Sequence, residues 1–167
     1  MMVEPWLRGT LTEVDAVRRQ VLHALELAAE DVERWCAPLA EEEVEARPLG
    51  LAPVGFHLRH IARSLDRLLT YVEGQVLSER QMEGLRSEME GRAGREATFM
   101  EFAEAMEVSV ARMMKISPGS YEEARGVGRK MLPTTVGGLL VHCADHTQRH
   151  VGQAVTTAKV MVALRKA

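Results

Sequence analysis

Five of the six histidines in this chain fall in two short segments, His57 and His60 in one and His142, His146 and His150 in the other. A neutral imidazole offers a nitrogen lone pair, and histidine is the commonest protein ligand for transition metals. On a helix, positions i and i+4 lie one above the other. His146 and His150 can therefore aim two imidazoles at one point, and His142 extends the same row. A third imidazole from a facing helix would complete a three-nitrogen shell with room left for water or substrate, and helical bundles build metal sites in this way. Spacing does not choose that third ligand among His57, His60 and His142. Helical geometry also sets Leu139, Cys143, Gln153 and Thr157 near the row, where Gln153 could steady a bound water. Gly152, in a helix interior, costs about 1 kcal/mol relative to alanine, and the close approach of another helix is the expected return.

The elements that must position these side chains are legible as apolar stripes. Leu11, Val14, Val17, Val21, Leu25, Ala28, Val32 and Trp35 recur at three- and four-residue spacing, which predicts a first helix that Thr10 or Thr12 caps and that ends near Pro38. The acidic run Glu41, Glu42, Glu43 and Glu45 reads as a solvated turn or short helix. After the breakers Pro48, Gly50, Pro53 and Gly55, a second helix carries Phe56, Ile61, Leu65, Leu68, Leu69 and Val72 and stops near Gly74. Residues 78–95 are charged and interrupted by glycines, which predicts a small helix and a long connection across the bundle. Phe99, Phe102, Ala103, Met106, Val110, Met113 and Met114 mark a third main helix that Pro118 and Gly119 close. A loop then runs to Pro133, and Thr134 or Thr135 caps a last helix holding His142, His146 and His150. No alternating run is long enough to predict a sheet, so the expectation is all-α, a four-helix bundle with a long crossover connection, in one domain over residues 1–167.

Composition narrows the function. The 21 Lys plus Arg nearly balance 24 Asp plus Glu, and a net charge of -3 gives no positive field to gather phosphates, so nucleic acid is not an expected partner. Aromatic residues are 4% of the chain, too few for platforms on which bases stack. No window approaches the roughly 18 consecutive apolar residues of a membrane span, and the first twenty residues lack a secretory apolar core. The expectation is a cytoplasmic protein with no membrane partner. Its two cysteines, Cys36 and Cys143, make no disulfide framework, and reduced thiols are expected.

The run His146-Thr147-Gln148-Arg149-His150-Val151-Gly152-Gln153 resembles the HxxxHxGQ signature of the DinB superfamily. Phe56-His57-Leu58-Arg59-His60-Ile61-Ala62 resembles its second-helix motif, and the likeness spans almost the whole chain. In that family one histidine of the second helix and the two of HxxxH bind a divalent metal, commonly nickel or zinc, in a four-helix bundle that often dimerises. Carried over by motif, the implied ligands are His60, His146 and His150, and a homodimer is implied with them. Several members transfer bacillithiol, mycothiol or a related thiol, so the resemblance implies a low-molecular-weight thiol as cofactor and an electrophilic small molecule as substrate. Arg59, Arg63, Arg67 and Arg149, beside the motifs, are candidates to orient a carboxylate of that thiol.

Each of these residues also has a plain structural reading. Histidines on a helix surface are common, and the competing expectation is a non-catalytic protein whose metal only stabilises the bundle; a metal-free interaction module is the third. His57 is expected as a pocket or supporting residue, His142 as an interior or a functional histidine, and His23 as ordinary surface. Cys143 is expected as a small buried residue and not a fourth ligand. Asp66 and Asp145 are expected in surface ion pairs, with Asp145 alternatively orienting a ligating imidazole.

Overall fold

The computed structural model describes residues 3–90 and 94–165. A 3-10 turn at Pro5–Leu7 precedes α1 (Ala16–Trp35), the short α2 (Glu41–Val44), α3 (Val54–Val72), α4 (Glu79–Arg86) and α5 (Gly94–Met114). Two strands, β1 (Ala124–Val127) and β2 (Leu132–Thr135), follow, and α6 (Val136–Leu164) completes the described chain. The protein is thus mostly helical with a small two-stranded sheet.

Apolar side chains at helical spacing build the core. α1 contributes Val21, Leu22, Leu25, Ala28 and Val32, α3 contributes Val54, Leu58, Ile61, Leu65 and Leu69, and α6 contributes Leu139, Leu140, Val151, Ala154 and Ala158, all buried. α6 packs against both α1 and α3, while α5 packs against α3 and more lightly against α1. The face of α3 that meets α6 carries one histidine segment, and α6 carries the other.

The first helix starts later than Thr10 or Thr12 would allow. Leu11 takes a left-handed φ of 56° and opens a turn that Val14 closes through its N–H to the Leu11 carbonyl, so the helical trace begins only after Asp15. Asp15 is the cap, accepting from the Arg18 backbone N–H at 3.2 Å and from the Tyr121 hydroxyl at 2.6 Å. Thr135 caps α6 as expected, its hydroxyl accepting from the Gly138 N–H at 3.0 Å. Ser78 and Gln81 form a capping box that opens α4 inside the charged connection.

The loop expected up to Pro133 is instead an antiparallel hairpin, with Ala124 paired to Thr135 and Val127 to Leu132. Its strands hold four residues each and include Gly126 and Pro133, which erase the alternating pattern that marks a strand. Gly126 has a packing reason: a Cβ there would come within 2.5 Å of the Met131 methyl.

His23 is not a surface residue. It is 4% exposed on α1, where the segment before the helix folds back and Arg8 pairs with Glu26 and Glu30. No helix among the described residues is long and apolar enough to cross a membrane.

Candidate metal centre

Packing of α3 on α6 brings His60, His146 and His150 together. One ring nitrogen from each lies within 4.8 Å of the others, the one such group among the described residues. His60 Nε2 is 3.2 Å from His146 Nε2. The ring centroids of His60 and His150 are 4.3 Å apart and those of His146 and His150 are 4.6 Å apart. All three side chains are half-buried, and Phe56 stacks on His60 with centroids 5.5 Å apart.

Burial first, and then the neighbouring imidazoles, hold His146 and His150 down at about 4. Both rings are therefore neutral at pH 7 with a lone pair free to donate, the state that metal coordination requires. Three imidazole nitrogens converging from two helices are a donor set suited to first-row transition metals. The residues present fit a divalent transition metal.

The other histidines divide. His57 is buried and its Nδ1 lies 3.1 Å from His150 Nδ1, so it supports a triad ring from behind. Burial and the two nearby imidazoles also push His57 down to about 4. His142 has a side chain 46% exposed and lies beside Asp145, outside the convergent group. Cys143 is fully buried, and burial pushes its thiol up to about 12; Cys36 behaves in the same way. Neither cysteine belongs to the triad group.

The residue that sequence reasoning missed is Glu88, which follows α4. One carboxylate oxygen accepts from His60 Nδ1 at 2.7 Å and the other from Arg67 at 2.6 Å. Arg67 also donates to Ser64 Oγ at 3.0 Å, and the Glu88 carbonyl accepts from Arg59 Nε at 3.1 Å. Burial pushes the Glu88 carboxyl up, but the hydrogen bonds from His60 and Arg67 outweigh it and hold the group below its ordinary value. The carboxylate that touches a triad ring is thus Glu88. Asp145 instead pairs with Arg149 at 2.8 Å on the surface, and Asp66 pairs with Arg112 at the same distance.

Three of the four candidate arginines are engaged inside the protein. Arg59 is 1% exposed and binds both oxygens of Glu45, Arg63 binds Glu101, and Arg67 binds Glu88. Only Arg149 has a largely exposed guanidinium. It borders a cleft of about 320 Å³ that His57, Gly152 and Gln153 also line. No helix approaches Gly152, since a Cβ there would meet nothing within 4 Å; the glycine opens the cleft floor. Gln153 is exposed at that cleft, and Thr157, itself buried and bonded to the Ala52 carbonyl at 3.1 Å, also lines it, whereas Leu139 and Cys143 are buried in the core.

A mostly helical chain that gathers three half-buried histidines from two packed helices has the form of a helical metal-site protein. The family model of the DinB superfamily matches residues 11–154, a span that contains the triad, Glu88 and all the long helices up to Ala154. The chain belongs to the DinB superfamily. A search of curated proteins found no match.

Proposed function

We propose that this DinB protein binds one divalent transition metal, nickel or zinc, through His60, His146 and His150. With a low-molecular-weight thiol it would act as a transferase on an electrophilic small molecule. We read its four long helices as the family's four-helix bundle, with the chain between α3 and α5 as the crossover. The observation that carries the metal reading is the convergence of three imidazoles within 4.8 Å, at a place where burial keeps His146 and His150 neutral.

A bound metal would supply Lewis acidity and favour the thiolate form of a thiol at neutral pH. The chain's own residues do the rest. His57 braces the His150 ring and walls the cleft. Arg149 binds a carboxylate of the thiol or acceptor from the cleft rim, and the Gln153 amide offers a donor and an acceptor beside it. Leu51 and Ala52 give that cleft an apolar side.

Protein purified without an affinity tag should contain close to one metal per chain, and replacing His146 and His150 together by alanine should abolish loading. Unchanged loading would move the site elsewhere. A panel of low-molecular-weight thiols with electrophilic acceptors should then show consumption that stops when the metal is stripped. The competing reading, a metal that only braces the bundle, draws on the fact that the triad ties α3 to α6. Metal loading without turnover across that panel would select it.

A further inference from the structure

We infer that Glu88 is the positioning residue of the metal centre, fixing the His60 ring so that Nε2 faces His146 and His150. This rests on the metal reading above. An ionised carboxylate only accepts hydrogen bonds, so the 2.7 Å contact puts a proton on His60 Nδ1 and turns Nε2 away from Glu88, with the Ser64 hydroxyl 3.4 Å from it. Nε2 is the nitrogen that lies 3.2 Å from His146 Nε2. The carboxylate is itself held. Arg67 occupies its second oxygen, Arg67 is held in turn by Ser64, and Arg59 grips the Glu88 carbonyl from within the core.

With a donor on each oxygen and 5% exposure, Glu88 has little freedom to swing in as a ligand. Its place is behind the ring, where a carboxylate orients an imidazole and raises its basicity toward a metal. The contact spans 28 residues of sequence, from α3 to the turn after α4. The connection that α4 begins is therefore part of the centre and not a mere strap across the helices.

The test uses the full chain with zinc as the probe, in competition with a chromophoric chelator, and nitrogen-15 NMR of the imidazoles in metal-free protein. Wild-type His60 should carry its proton on Nδ1. Glu88→Ala should shift His60 toward the other tautomer and weaken zinc about ten- to a hundredfold. Glu88→Gln, which keeps the volume but offers one acceptor to two donors, should fall between the two. If Glu88→Ala does not fold by circular dichroism, Glu88→Gln decides. Zinc affinity within twofold of wild type in the folded variant, or an unchanged His60 tautomer, overturns the inference. Failure of the wild type to bind zinc sinks the proposed function; equal binding by wild type and variant sinks only the role of Glu88.

Discussion

A buried charge is tolerated only with a partner, and Arg59 shows how closely the surrounding residues are chosen to supply one. Its guanidinium is 1% exposed and meets Glu45 at 2.5 and 3.1 Å. Glu45 reaches it across Gly55, where a Cβ would fall 2.1 Å from the carboxylate oxygen. Glu45→Ala leaves the guanidinium without its carboxylate and should cost about 3 kcal/mol, read as a lower urea midpoint at unchanged slope. The residues of the candidate site differ in how openly they declare themselves. His146 and His150 are legible because a four-residue helical interval forces them onto one face. His60 becomes legible only through the motif that resembles the family's. Glu88 is hidden, since it lies in a charged stretch where every acid looks solvated and its contact is made 28 residues away. His23 is misread for the opposite reason: a polar type suggests surface, but the ring is 4% exposed on α1.

At the level of elements, the long helices are visible in sequence because each needs a stripe of apolar residues to pack. The hairpin is not, because four-residue strands containing Gly126 and Pro133 carry no alternation. Cap residues are equally hard to place by pattern, since Thr10, Thr12 and Asp15 all qualify by type and a positive φ at Leu11 decides among them. Asp15 gives a test by pH. Burial pushes its carboxyl up, yet the Tyr121 hydroxyl and Arg18 outweigh this and hold it at about 2, against an ordinary 3.8. A carboxyl whose folded value is depressed stabilises the fold above its unfolded value, and that contribution is lost as pH falls through the folded one. The stability difference between wild type and Asp15→Asn should therefore be constant above about pH 5 and shrink between about pH 4 and pH 2, as followed by urea unfolding. In α6, Gly152 occupies a helix interior with open space where a side chain would be. Gly152→Ala should raise stability by about 0.5–1 kcal/mol, seen as a higher Tm, while a bulkier residue there should obstruct the cleft beside His57.

Across the whole molecule, a ligand that binds only the folded chain stabilises it by mass action. Metal at a hundredfold excess over its Kd adds about 2.7 kcal/mol, which for a domain of this size is a Tm rise of roughly 5–10 °C. Zinc should give that rise in thermal unfolding of the wild type and none in a variant with His60, His146 and His150 all replaced by alanine. A rise that survives the triple replacement would place the stabilising ion elsewhere.

The order in which the histidines occur along the chain also sets a sequence of events. His146 comes 86 positions after His60, so a nascent or truncated chain that stops within α5 or the hairpin presents a single imidazole of the three. Such a chain lacks the two α6 ligands of the proposed triad. If the triad holds a metal as proposed, the complete three-nitrogen shell would form only once the last helix is made and has docked on α3.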